Sequence, residues 1–158
     1  MTKTASKNPI IVRFFQVILG LLSYNVFPSK VRIFLFRLMG VKIGKNTFIG
    51  VHVTIDSSYP KHVIIGNNCG IATGTVILAH RRDVSEYSIN KGYNDYPFKV
   101  MDVVINDNVQ IGTNTTILPG IVIGNGSIIG AGSVVTKDVP PHSLAVGLPA
   151  KVIKTFKD

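Results

Sequence analysis

An isoleucine at every sixth position, glycine directly after six of them, and an abundance of turn residues predict an all-β chain. The expected architecture is a parallel β-helix of about four coils, with a helical segment ahead of it. The chain has 158 residues, 46% hydrophobic and only 16% charged, which fits one compact domain able to bury a sizeable core. That apolar fraction excludes disorder, and the single cysteine, Cys69, excludes a disulfide scaffold. Fifteen glycines and eight prolines, with no tryptophan, imply frequent turns and few large aromatic anchors.

The helical segment comes first in the chain and carries the charge. Residues 1–47 hold eight cations (Lys3, Lys7, Arg13, Lys30, Arg32, Arg37, Lys42 and Lys45) and no Asp or Glu, whereas residues 48–158 hold nine cations against eight acids. Residues 1–9 are polar and read as frayed. The run from Ile10 to Phe27 is mostly apolar, but its unbroken core, Val17 to Leu22, is far below the roughly 20 residues of a membrane span. Pro28 breaks the pattern, Ser29 suits the N-cap of a second helix from Lys30 to Met39, and Gly40 suits its stop. In that helix Val31, Phe34, Leu35 and Leu38 form the apolar stripe, away from Lys30, Arg32 and Arg37. Three roles stay open for residues 1–39. They are a cap on the open end of the repeat, a basic amphipathic hairpin with peripheral membrane contact through residues 10–39, and a secretory leader lacking a small-residue cleavage site.

The repeat follows over residues 40–140. Isoleucine occupies positions 43, 49 and 55, then 65, 71 and 77, then 105, 111, 117, 123 and 129, with Val135 next. With 20 isoleucines in the chain, only about one or two of those twelve slots would be filled by chance. Small or β-branched residues recur four places on, at Thr47, Val53, Cys69, Thr75, Val109, Thr115, Ser127 and Ser133. A six-residue unit cannot fold back on itself, so it forms one side of a coil. Three sides make an 18-residue triangular turn, and stacked turns pair as parallel strands about 4.8 Å apart. Residues 141–158 are set off as a C-terminal tail.

These hexads, together with the string IGNGSIIGAGSVVTKDVPPHSLAVGLPAKVI, resemble the hexapeptide-repeat acyltransferases, and in particular the sugar and polysaccharide O-acetyltransferase branch. The resemblance covers about residues 40–154. It implies a left-handed winding, a homotrimer, and acetyl-CoA as acyl donor with a sugar or polysaccharide-precursor hydroxyl as acceptor. It also implies transfer without an acyl-enzyme; the reading is of a cytoplasmic protein, and the basic N-terminal segment adds the option of peripheral contact at the inner face of the membrane.

Two insertions interrupt the hexads, and both follow a third-face isoleucine. Four extra residues lie around Tyr59–His62 and 22 around residues 81–102, so both protrude from one edge of the prism. An excursion of the latter size is longer than packing needs. His80 stands at its root, where the family places a catalytic base. Imidazole suits that task, because it takes up a proton near neutrality and holds it as a stable cation. Asp83, Glu86 and Asp95, all in the long loop, are carboxylates able to orient His80, and a backbone carbonyl is the alternative. His52, Asp56, Ser58 and His62 are the candidates for substrate contact, since Gly50 and Ser58 stand where the family's sugar-holding Asn and Asp would align. His142 reads as a surface residue.

By the same resemblance Thr113 lies near the thioester, with a backbone N–H there to stabilise the oxyanion, and Ala131, Thr136 and Lys137 contact CoA. Lys151 and Lys154 take places where related enzymes carry arginine for the phosphates. No metal is expected: His52 and His62, the nearest histidine pair, straddle an insertion. Cys69 falls in a turn slot without a partner that would make it a nucleophile. No nucleic-acid motif is present. Acetylation of a xenobiotic such as an antibiotic, and a non-catalytic trimeric scaffold, are the competing functions.

Overall fold

The computed structural model describes residues 9–25 and 28–157. Residues 1–8, where fraying and the basic flank of a leader were expected, the Val26–Phe27 pair and Asp158 lie outside the described residues.

The hexads build a three-faced prism. Its first face stacks Lys42–Ile43, Val63–Ile65, Val103–Ile105 and Val122–Ile123. The second stacks Phe48–Ile49, Gly70–Ile71, Gln110–Ile111 and Ile128–Ile129, and the third Thr54–Ile55, Val76–Ile77, Thr116–Ile117 and Val134–Val135. All these pairings are parallel and in register, so that Ile43 meets Ile65, Ile65 meets Ile105, and Ile105 meets Ile123. Hexad isoleucines from Ile49 to Ile129 are at most 3% exposed, which makes the core a column of like side chains. The small residues four places on are buried too. Their hydroxyls close the turns, as where Thr115 donates to the Gly112 carbonyl at 2.8 Å and Ser133 to that of Gly130 at 2.7 Å.

Two of the three corners repeat a left-handed residue in coil after coil. Asn46, Asn68, Asn108, Gly126 and His142 stack at one corner, and His52, Gly74, Asn114 and Gly132 at the next, all with positive φ. Asparagine and glycine bear that conformation at little cost, which explains their recurrence there. The third corner, between the third and first faces, carries both insertions. Residues 141–158 do not stand apart from the prism. Ser143–Gly147 adds a fifth parallel rung to the second face, and Ala150–Thr155 folds back on it antiparallel.

Two helices, α1 (Ile10–Asn25) and α2 (Ser29–Met39), cover the start of the prism. Gly40, at φ 107°, ends α2 as expected. Ser29 is not the N-cap; Pro28 holds that place, and the Ser29 hydroxyl accepts instead from the Ile49 N–H at 3.1 Å. The buried face of α2 also differs from the expected stripe: Arg32, Ile33, Phe36 and Met39 point inward, while Val31, Phe34 and Leu38 are exposed. The reason lies at the open edge of the first coil, whose carbonyls have no rung beneath them. Arg32 donates through Nε and Nη2 to the Ile49 carbonyl at 3.1 and 2.6 Å, and Arg37 donates to those of Ile43 and Gly44, both at 2.9 Å. A long guanidinium reaches these edge carbonyls where an aliphatic side chain would leave them unpaired. Among the described residues no helix is long and apolar enough to cross a membrane.

Candidate active site

The corner that carries the insertions stacks Asp56, Leu78 and Leu118 one above another, each N–H bonding to the coil above: Asp56 to Ile77, Leu78 to Ile117, Leu118 to Val135. His80 leaves this stack at the start of the long excursion. There His80–Arg82 pairs antiparallel with Phe98–Val100, with His80 opposite Val100, and the Met101 N–H closes the ribbon onto the Ala79 carbonyl at 2.9 Å. Inside the loop the Arg82 guanidinium lies 4.2 Å from the Tyr93 ring centre and 3.9 Å from that of Phe98.

The group that orients His80 is Asp56, a correction on two counts. Its Oδ2 accepts from His80 Nδ1 and from the Ala79 N–H at 2.9 Å; its Oδ1 accepts from the N–H groups of Ser58 and Tyr59, at 3.0 and 3.2 Å. Asp56 is therefore not a substrate contact: its side chain is 2% exposed and both oxygens are engaged. The loop carboxylates serve the loop itself. Asp83 accepts from Ser85, which lowers its pKa, Asp95 accepts from the Gly92 N–H at 2.7 Å, and Glu86 is exposed. A carboxylate this buried would be costly unless hydrogen-bonded, and four donors meet that need. Its bond to Nδ1 fixes the proton there and leaves Nε2 as the acceptor nitrogen of the neutral ring. Rings hold the imidazole from both sides, Tyr59 at 5.0 Å and Phe98 edge-on at 5.1 Å. His80 itself remains 24% exposed.

Of the other candidates, Ser58 and His62 share this edge. His62 is tied to Asp102 through Nδ1 at 2.6 Å and lies beside the other side of Tyr59, at 6.4 Å between ring centres. His52 does not join them: it occupies the left-handed corner between the second and third faces, packed 4.9 Å from the Tyr24 ring. Thr113 and Ala131 lie on that same corner further along, where the Gly132 N–H donates to the Thr113 carbonyl at 2.7 Å. One whole face of the prism therefore separates them from His80 within a chain. Thr136 and Lys137 are exposed on the His80 edge, in the fourth coil. Lys151 and Lys154 are exposed on the antiparallel strand of the second face. His142 is exposed at the corner between the first and second faces. Cys69 is buried, and burial pushes its thiol up, which fits a packing role. Among the described residues no three His, Cys, Asp or Glu side chains are grouped to hold a metal.

A cleft of about 480 Å³ opens against His80. Ser57, Ser58, Leu78 and Val53 form its floor, and Val17, Gly20, Leu21 and Tyr24 of α1 form its far wall. Sequence reasoning missed both Asp56 as the orienting group and α1 as a wall. For Asp56 the signal was present: a carboxylate follows a third-face isoleucine where the next two coils have Leu78 and Leu118.

Residues 102–137 match the bacterial transferase hexapeptide family (six repeats), and residues 40–79 match the hexapeptide repeat of succinyl-transferase. The chain is 38% identical over 118 residues to YvoF of Bacillus subtilis (strain 168), a protein named only for the acetyltransferases as a class; the match covers 75% of this chain and 62% of that one. It is 37% identical over 118 residues to the galactoside O-acetyltransferase of Escherichia coli (strain K12), covering 75% of this chain and 55% of the enzyme. The chain thus spans little more than half the length of these relatives. A galactoside acetyltransferase solved in complex with coenzyme A superposes with a TM-score of 0.71 at 28% identity, over 94% of this chain and 82% of that one. With the hexad column, the interrupted edge and these likenesses together, the chain belongs to the hexapeptide-repeat acyltransferase family.

Proposed function

We propose that this protein is an O-acetyltransferase that moves an acetyl group from acetyl-CoA to a sugar hydroxyl, in surface polysaccharide biosynthesis. The observation that carries the reading is the His80–Asp56 pair, buried on the carboxylate side and open at the imidazole. A scaffold would have no use for it. His80 Nε2 takes the acceptor's hydroxyl proton as that oxygen attacks the thioester carbonyl. The new C–O bond forms, the C–S bond breaks, and the proton passes to the departing CoA sulfur. Asp56 holds the tautomer and steadies the imidazolium between those two transfers. A backbone N–H near Thr113 stabilises the oxyanion.

Because Thr113 and Ala131 sit one face away from His80, the reading needs a neighbouring copy to bring the second-to-third corner up to His80. A homotrimer of left-handed prisms meets that need, with Thr136, Lys137, Lys151 and Lys154 along the CoA groove. His62 and Ser58 face the acceptor. Cytoplasmic placement, with peripheral contact to the inner face of a membrane through residues 10–39, fits the cation excess of that segment. Replacing His80 by alanine tests the chemistry: thiol release from acetyl-CoA in the presence of nucleotide sugars should fall roughly 100-fold or more, while CoA affinity holds. Near-normal turnover would move the base elsewhere.

A further inference from the structure

Helix α1 is built with its polar side inward. Gln16 and Ser23 are buried, with Gln16 Nε2 donating to the Met39 carbonyl at 3.4 Å. Leu19 packs against the core, but most of the helix's other apolar residues face out. Ile10, Phe14, Val17, Leu21 and Tyr24 recur at helical spacing and are all exposed, Phe14 at 64% and Leu21 at 66%. The last three of these are the same side chains that wall the cleft at His80. One apolar stripe thus runs from the outer end of α1 to the reactive imidazole. From Ile10 to Tyr24 it measures about 21 Å at 1.5 Å per residue, far longer than a sugar ring.

The cleft offers few groups that would hold a bare sugar. Asp56 is fully engaged, so beside His80 the polar side chains of the lining are the hydroxyls of Tyr24, Thr54, Ser57 and Ser58, set among apolar residues. A site of this make-up discriminates by apolar area, not by a ring of hydrogen bonds.

We infer that the acceptor is lipid-linked: its hydroxyl-bearing head reaches His80 while its hydrocarbon chain lies along the Leu21–Phe14–Ile10 stripe of α1. This rests on the acyl-transfer reading above and names its substrate class. Arg13, one turn before Val17, is the cation within α1 and complements a phosphate linking head and chain.

The test uses n-alkyl β-D-glucosides from hexyl to dodecyl, kept below their micelle concentrations and titrated calorimetrically into the full chain, with glucose as control. Affinity should rise roughly two- to fourfold per added methylene up to dodecyl. Bound octyl glucoside should slow carbethoxylation of His80 by diethyl pyrocarbonate at least severalfold. Leu21→Asp and Phe14→Asp, both at exposed positions, should flatten the chain-length dependence while CoA affinity and melting temperature stay as in the parent.

Affinity that ignores chain length, or that survives both aspartates, overturns the inference. So does a plateau by hexyl, which would fit a short apolar aglycone. If either aspartate lowers the molecular mass in solution, the stripe is an interface between copies, and the inference likewise fails. Loss of turnover in His80→Ala alongside any of these outcomes would leave the transferase reading standing without the lipid.

Discussion

Asp56 shows how much of a site can depend on one buried carboxylate. Its oxygens accept from three backbone N–H groups and one imidazole, so it both builds the corner and sets the tautomer of His80. Asparagine has nearly the same shape but offers an NH₂ where two donors already point. In Asp56→Asn the amide NH₂ either meets the Ala79 N–H and turns the imidazole to the wrong tautomer, or meets the N–H groups of Ser58 and Tyr59. Acetyl transfer should therefore drop on the order of 10³-fold, with CoA affinity retained; thiol release and equilibrium CoA titration check the two halves. A loss below tenfold would mean that the pair is structural. Counting puts His80 at the root of an insertion, and the resemblance alone suggests a base there. Neither could pair His80 with a residue 24 places earlier, since that contact exists only once one coil stacks on the next.

At the scale of elements the hexads were fully legible and the helices were not. An inward isoleucine every six residues calls for a three-sided coil, and the structure realises it, although the spacing leaves the hand of the coil open. In α1 and α2 apolar residues occur all round the axis, so periodicity cannot say which side meets the prism. What decides is the unpaired edge of the first coil. Arg32, 1% exposed, is drawn inward to the Ile49 carbonyl, burial lowers its pKa, and the face opposite Val31 and Phe34 follows it in. Arg32→Met keeps much of the stem but strands that carbonyl. It should destabilise the protein by about 1–3 kcal/mol, read as a lowered midpoint in chemical denaturation at unchanged slope. Equal stability would show that water replaces the guanidinium.

For the whole molecule, the proposed site, with His80 a full face away from Thr113 and Ala131, makes a strong demand on assembly. Light scattering should give about three times 17.1 kDa. Complementation goes further. Under the proposed mechanism His80→Ala lacks the base and Ala131→Arg blocks the opposite corner, so each homo-oligomer should be inactive. Mixed by co-expression, some interfaces join an intact His80 to an intact Ala131, and about a quarter of parental activity should return under random assembly. No recovery would place both halves of the site within one chain.

The long excursion is tied off before it begins to wander. The His80–Val100 pairing and the Met101 bond to Ala79 form a clasp at its base, and the coils above and below pair across without reference to what the loop contains. Lengthening a closed loop costs only a logarithm of its length. Residues 83–97 can thus be exchanged as a cassette: the imidazole keeps its posture on the rigid prism while the surface beside it is rewritten.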